Sequence, residues 1–315
     1  MNIYNTWLIG AGQMSLEYYK VLKSLNLKFK VIGRGFRSGS IFEKITGYTV
    51  EYGSIKKNAM KYGVPNYAIV AVSADQLKNV AKKLIDIGTA NILLEKPGAL
   101  SISDLKQIYY LSKKKKINIF IGYNRRFYSS VIQAKKIIKQ DGGLNSIFFD
   151  FTELSNKINK LSIKKKIKDK WLISNSSHVI DLAFNFCGEP FDWSCWNKSS
   201  LNWHKSSAIF CGSGISKNDI AFSYLSDWKS AGRWGIELMT NKRKLILRPL
   251  ESLTYIKKNS FNKKKIKLKS LFDKKFKPGI FLQTKAFLTN NFINLCNIKT
   301  QVINFKIYNK IANYK

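Results

Sequence analysis

The strongest constraint on the fold is an alternation that runs through roughly the first 120 residues. Apolar, β-branched runs at Thr6–Gly10, Lys28–Gly33, Ala68–Val72, Asn91–Leu94 and Ile117–Ile121 are separated by stretches of helical periodicity. Those stretches are Met14–Leu25, Ser54–Tyr62, Asp75–Ile87 and Ser103–Lys113. Strands joined through helices run parallel, and the helices then cover both faces of the sheet. Ser101, three residues before Asp104, predicts a capped helix start with an acidic first turn. The expected class for this part is α/β.

After Phe127 the texture changes. A helix at Tyr128–Lys139 meets the stop Asp141-Gly142-Gly143, and Ser146 to Glu153 alternates like a strand with one solvated face. A lysine-rich stretch, Asn156–Lys170, reads as an exposed loop. Strands are expected at Ser207–Cys211, Asp219–Ser226, Gly232–Met239 and Lys244–Leu247, and helices at His178–Phe186 and Phe281–Asn294. This half reads as α+β with a mainly antiparallel open sheet.

The formal net charge of +36 raises the question of a polyanionic partner. Clustered lysines would mark a phosphate-binding surface. Here they are spread through both halves, at Lys56-Lys57, Lys82-Lys83, Lys113 to Lys116, Lys164 to Lys166 and Lys263 to Lys265. Scattered lysines solvate a surface, so no nucleic-acid partner is expected, although an anionic substrate would gain from the field. No apolar run approaches the ~20 residues of a membrane span. The start, Met1-Asn2-Ile3-Tyr4-Asn5-Thr6-Trp7, has no basic n-region or cleavage site. A cytoplasmic protein without a membrane partner is expected. Cys187, Cys195, Cys211 and Cys296 form no C-x-x-C pair, and with only His178 and His204 no zinc spacing arises, so reduced thiols and no metal are expected.

Gly10-Ala11-Gly12-Gln13-Met14-Ser15 stands between the first strand and the first helix. In that place glycines permit a tight turn and close approach to a pyrophosphate, and the helix N-terminus faces the anion. Ser15 takes the third glycine's place and is small enough for close helix–strand packing. The second strand ends Val31-Ile32-Gly33-Arg34-Gly35-Phe36-Arg37-Ser38, without the acid that accepts from ribose hydroxyls in NAD-preferring sites. A carboxylate would repel a 2′-phosphate, whereas Arg34 can pair with it and Ser38 can donate to it. The reading is a Rossmann domain over residues 1–122 that favours NADP(H) over NAD(H), followed by an α+β substrate-binding and oligomerisation domain over 123–315.

Three further motifs follow in order: Leu94-Glu95-Lys96-Pro97 after the fifth strand, Gly122-Tyr123-Asn124-Arg125-Arg126-Phe127 at the junction, and Ser177-His178-Val179-Ile180-Asp181-Leu182 in the second half. Together with the glycine motif this set resembles the glucose–fructose oxidoreductase / inositol dehydrogenase / MocA (Gfo/Idh/MocA) family. The resemblance implies hydride transfer between a nicotinamide and a carbinol or carbonyl carbon of a sugar, polyol or nucleotide sugar. It also implies homo-oligomers assembled through the C-terminal sheet. By motif match Lys96 is the active-site lysine with Glu95 beside the cofactor, Arg125 contacts substrate, and His178 is the second-domain catalytic histidine. The candidate cofactor set is Gly10, Gly12, Gln13, Met14, Arg34, Ser38, Ser73, Glu95 and Lys96. The candidate substrate set is Lys96, Asn124, Arg125, Asn175 and His178. Carbinol oxidation needs a base for the hydroxyl proton, and desolvation beside a nicotinamide cation would favour a neutral lysine.

One departure matters. Many family members carry Asp four residues before this histidine, where this chain has Ser174 followed by Asn175. Ser or Asn can orient an imidazole but supplies no charge to hold it protonated. A second function therefore stays open: a dinucleotide-binding sensor or regulatory protein of the same fold that has lost turnover.

Overall fold

The computed structural model describes residues 5–314, which divide into two compact units. Unit 1 comprises the chain up to Asn124 together with Phe272–Ile303; unit 2 comprises Arg125–Leu271 and the chain from Asn304 on.

Unit 1 begins with β1 (Thr6–Ile9), α1 (Gln13–Ser24), β2 (Phe29–Gly33), α2 (Phe36–Thr46), β3 (Val50–Tyr52) and α3 (Ile55–Tyr62). It continues through β4 (Tyr67–Val70), α4 (Leu77–Asp86), β5 (Asn91–Glu95), α5 (Ile102–Lys114) and β6 (Asn118–Gly122). The strand order is β6-β5-β4-β1-β2-β3, all parallel, so the order reverses beside β1 as in a dinucleotide-binding Rossmann sheet. Ile9 registers with Ile32 on one side and Val70 on the other. Central strands such as Trp7–Ile9, Ile69–Val70 and Ile92–Leu94 are buried on both faces, which is why they read as unbroken apolar runs. Ser101 caps α5, its hydroxyl accepting from the Asp104 N–H at 3.1 Å.

β3 and α2 are absent from the sequence expectation, because Phe36–Thr46 is flanked by Gly35 and Gly47 and carries Gly39 inside it, and Val50–Tyr52 is only three residues long. The C-terminal half also departs from it. Residues 123–315 were expected to form one domain, but Phe272–Ile303 returns to unit 1. Its helix Ile280–Leu288 packs on α1, Phe287 meets Tyr67 and Phe120 edge-on, and Cys296 pairs antiparallel with Ile121 at the edge of β6. These contacts join residues far apart in sequence, which periodicity does not register.

Unit 2 holds α6 (Ser129–Gln140), β7 (Ser146–Asp150), the short α7 (Ser155–Asn159) and α8 (Lys165–Lys168), a π-helical turn Leu172–Ser176 and α9 (Ser177–Cys187). The two short helices fall almost entirely in the stretch Asn156–Lys170 expected as loop. Then come β8 (Pro190–Lys198), β9 (Ile209–Ser216), β10 (Ala221–Asp227), β11 (Gly235–Met239), β12 (Arg243–Leu247), β13 (Thr254–Lys257) and β14 (Lys263–Lys265). The eight strands form one sheet, β14-β13-β12-β11-β7-β10-β9-β8, antiparallel throughout except between β7 and β10. α9 packs on β7 and β11, and β10 alternates buried Phe222, Tyr224 and Ser226 with exposed Ala221, Ser223 and Leu225. This is the expected half-covered sheet. β8 had not been expected, since its polar and aromatic residues hide the alternation. Among the described residues no helix is long and apolar enough to cross a membrane.

Candidate functional site

The carboxyl edge of the unit 1 sheet gathers the glycine turn, the Arg34 turn and the end of β5. Gly10 has φ +112°, and a Cβ there would lie 2.4 Å from the Ala71 carbonyl oxygen, so the turn accepts no side chain. Its N–H donates to Ile32 at 2.9 Å, tying the turn to β2. Gly12 is the N-cap of α1 and faces open space; no side chain caps the helix, so its first amides remain for a ligand. Ser15 is buried and donates to the Ala71 carbonyl at 3.3 Å, so the third-glycine position is filled without loss of close packing. α2 presents a second uncapped N-terminus at Gly35, with Ser38 in its first turn and its hydroxyl on the Gly35 carbonyl at 3.0 Å.

A cavity of about 1000 Å³ is lined by Gly10–Gly12, Arg34, Ser38, Ser73 and Gln76. Arg34 reaches the Gln76 side-chain oxygen at 3.4 Å on the exposed side, and Ser73 donates to Asp75 at 2.7 Å. Glycine backbone without Cβ atoms, unmatched helix amides and an exposed guanidinium fit a phosphate-bearing dinucleotide. Gln13 and Met14 sit in the first turn of α1, where the Met14 sulfur takes the Lys277 ammonium at 3.0 Å.

β5 ends on Glu95, which is buried and accepts the Tyr18 hydroxyl at 2.6 Å; Tyr18 in turn accepts from Gln283 at 3.0 Å. Burial pushes the Glu95 carboxyl up, while the Tyr18 hydrogen bond and the Lys96 and Lys277 charges pull it down. Burial also raises the Tyr18 phenol, and Glu95 adds to that shift. Lys96 follows, half-buried, with a cis bond to Pro97. Gln301 holds this corner by donating to the Pro97 carbonyl at 2.9 Å and the Tyr123 hydroxyl at 3.0 Å. Asn124 is buried, and its amide donates to the Pro278 carbonyl at 2.9 Å. Tyr18, Gln283, Lys277 and Gln301 carry no motif, and three of the four come from the returning segment.

In unit 2 the two junction arginines part ways. Arg126 is buried in a bidentate pair with Asp181, at 2.8 and 2.5 Å, and Asn304 adds a bond to the same carboxylate at 3.2 Å. Arg125 instead lies 4.7 Å from the Trp234 ring centroid, and burial lowers its pKa. His178 is buried near the start of α9, its ring 6.3 Å from that of Trp234. Ser174 and Asn175 belong to the π-helical turn just before it, a local distortion often found at functional sites.

A carboxylate does lie beside the π-helical turn, bonded to Asn175 and Ser176. Glu153, buried beyond β7, accepts from Asn175 at 2.9 Å and Ser176 at 2.7 Å, with Arg233 at 3.5 Å. Burial raises its pKa, and these donors oppose the shift. Sequence reasoning missed Glu153, Arg233 and Trp234; the sole hint was that Glu153 ends an alternating run with an acid on its inward face. Among the described residues no group of three or more His, Cys, Asp or Glu side chains could hold a metal ion.

Residues 4–123 match the model of a family described as an oxidoreductase family with an NAD-binding Rossmann fold. The match to this Gfo/Idh/MocA family model falls on the Rossmann part of unit 1 and covers less than half of the chain. An uncharacterized oxidoreductase of Schizosaccharomyces pombe is 26% identical over 128 residues, which cover 39% of this chain and 34% of that protein. The match thus spans about a third of the curated relative's length. Among solved structures, an oxidoreductase of Desulfitobacterium hafniense described as NADPH-dependent superposes with a TM-score of 0.82 at 14% identity, over 99% of this chain and 96% of that one. The UDP-N-acetylglucosamine 3-dehydrogenase of Acidithiobacillus ferrooxidans gives 0.77 at 12% identity, over 99% and 97%. Identities this low speak to the fold alone. The fold they share covers both units.

Proposed function

We propose that the protein is an NADP(H)-dependent oxidoreductase acting between a carbinol and a carbonyl carbon of a sugar, polyol or nucleotide sugar. The observation that carries this reading is the unit 1 cavity, where an uncapped helix N-terminus, a glycine turn and Arg34 meet. The descriptions of the D. hafniense and A. ferrooxidans proteins support the cofactor and the substrate class respectively.

The nicotinamide, when bound, donates or accepts the hydride. Gly10, Gly12 and the first turn of α1, with Gln13 and Met14, would hold the pyrophosphate, and Arg34 with Ser38 the 2′-phosphate. Ser73 and Glu95 complete the wall. Lys96 takes the carbinol proton in oxidation or returns it in reduction. His178 serves as a neutral hydrogen-bonding imidazole, while Asn124, Arg125 and Asn175 hold substrate hydroxyls. A homo-oligomer through the unit 2 sheet fits its open face, where Trp196, Cys211 and Leu225 stand in one cross-strand row and Trp196 and Leu225 are exposed. Light scattering reads that state directly.

Fluorescence titration tests the cofactor assignment. Wild type is expected to bind NADPH more tightly than NADH, and Arg34→Asp to reverse the order. Trading an attractive contact for a repulsive one changes affinity by roughly tenfold to a hundredfold. Equal or better binding of NADH by wild type sinks the assignment.

A further inference from the structure

Unit 2 concentrates positive charge around one indole. Arg125 and Arg233 lie 4.7 and 4.5 Å from the Trp234 ring centroid. Arg233 and Trp234 are neighbours in the loop between β10 and β11, whereas Arg125 comes from the 3-10 turn Asn124–Phe127. The ring attracts each guanidinium, yet the two cations repel one another. Burial above all, and Arg233 besides, lowers the Arg125 pKa, against the pull of Tyr128, Glu251 and Glu153.

The carboxylate facing Arg233 is largely spent elsewhere. Glu153 Oε1 takes both Asn175 and Ser176, and Oε2 stands 3.5 Å from Arg233, longer than the ~2.7–2.9 Å of a strong charge-assisted bond. Arg233 stays half exposed, at 51% of its side chain. An independent sign comes from Trp234 itself, which is buried and whose Nε1 has no hydrogen-bond partner among the described residues. A buried N–H without an acceptor is a standing cost that only an acceptor removes. Two guanidiniums and an indole N–H are all donors, and the planar guanidinium fork matches the paired oxygens of a carboxylate or phosphate.

The geometry points to an oxyanion subsite: Arg233, supported by Arg125 and Trp234, receives a carboxylate or phosphate of the substrate, which is therefore an acidic sugar derivative and not a neutral polyol. This rests on the oxidoreductase reading for the word substrate alone; the binding of an anion is a property of the cluster.

Calorimetric titration at one ionic strength, with and without NADPH, compares D-glucose, D-glucuronate and D-glucose 6-phosphate. One of the two charged sugars is expected to bind at least about tenfold more tightly than glucose. Which one does so separates a carboxylate from a phosphate subsite. Arg233→Gln, at a half-exposed position and with its fold checked by circular dichroism, should abolish the preference. Lys264→Gln, on the exposed strand β14, should leave it intact and so exclude a general effect of net charge. Equal affinities for the three sugars, no binding by any of them, or a preference that survives Arg233→Gln would each overturn the subsite. Failure of NADPH to bind would count against the enzyme reading and leave the titrations without cofactor to decide this one.

Discussion

The two units treat buried charge differently. Among the described residues unit 1 buries one carboxylate or guanidinium, Glu95, whereas unit 2 buries Arg126, Asp141, Glu153 and Asp181. The Rossmann unit meets its anionic ligand with backbone amides and two helix N-termini, dipoles already fixed by the fold, so little side-chain charge has to be desolvated. Unit 2 has an antiparallel sheet with no such convergence of helix ends. Its site is assembled from side chains of distant segments, and each buried charge must bring a partner: Asp181 for Arg126, Thr240 and Arg243 for Asp141 at 2.8 Å each, and Asn175 with Ser176 for Glu153. The difference suggests that substitutions in the unit 1 site act on chemistry, and substitutions among the buried unit 2 charges act on folding.

The largest effect expected from that contrast is on turnover. Lys96→Met should leave NADPH affinity nearly unchanged and lower kcat by ~10²–10⁴-fold, the usual contribution of general acid–base catalysis. His178→Asn should cost less, because Asn still offers one hydrogen bond to a substrate oxygen. Steady-state kinetics of both variants, with cofactor titration as control, decides the matter. A nearly silent Lys96→Met, or a more damaging His178→Asn, would reverse the roles.

The next effect falls on stability, in unit 2. Arg126→Met removes one partner of a buried pair and strands Asp181, whose pKa burial already raises against the pull of Arg126. Removing one partner in this way costs about 3–5 kcal/mol, while replacing both by apolar residues costs far less. Urea denaturation of Arg126→Met and of Arg126→Met with Asp181→Leu should show that order. A single variant within about 1 kcal/mol of wild type would mean that the pair carries little of the fold.

The same contrast explains what could be read before the structure. The unit 1 motifs are short in sequence because a strand, a turn and a helix N-terminus are consecutive, so Gly10, Gly12, Arg34 and Ser38 could be named from local pattern and line one cavity. Glu95 and Lys96 stand at the end of a legible strand, but their roles came from the resemblance. Tyr18 and Gln283 were not, because the bond between them spans 265 positions and neither belongs to a motif. In unit 2, Arg125 and His178 came only from resemblance, while Glu153, Arg233 and Trp234 are brought together by strand pairing that no local period records. The expectation of a single second domain failed on this point too, since helix Ile280–Leu288 carries an apolar face that nothing in its own sequence assigns to α1.

The smallest of the three effects concerns His204, the second buried histidine of unit 2. Its Nδ1 lies 2.7 Å from the Ser207 carbonyl, which can only accept, so Nδ1 carries the proton. Nε2, 2.6 Å from the Tyr314 hydroxyl, is then the acceptor, and Tyr314 itself accepts from the Leu172 N–H at 3.2 Å. Protonation of Nε2 would turn Tyr314 from a donor into a double acceptor. Burial, against the pull of the Ser207 carbonyl, lowers the imidazole pKa from 6.5 to about 4. The folded state thus binds this proton more weakly than the unfolded chain. Above pH 6.5 both states are neutral and the contribution to stability is whole; as pH falls from 6.5 to about 4 only the unfolded state is protonated, and stability is lost. At ~1.4 kcal/mol per unit the loss is on the order of 3 kcal/mol. Glu95, Glu153 and Asp181, whose pKa values are raised, shift stability the opposite way at the acid end of this window, so wild type is to be compared with His204→Gln at pH 7 and pH 5. Wild type should lose more stability than the variant between the two. With two histidines in the chain, imidazole resonances separate easily in an NMR titration, and a His204 that titrates near 6.5 would show that the surrounding Trp203, Phe210, Trp228 and Tyr314 rings do not exclude the charge.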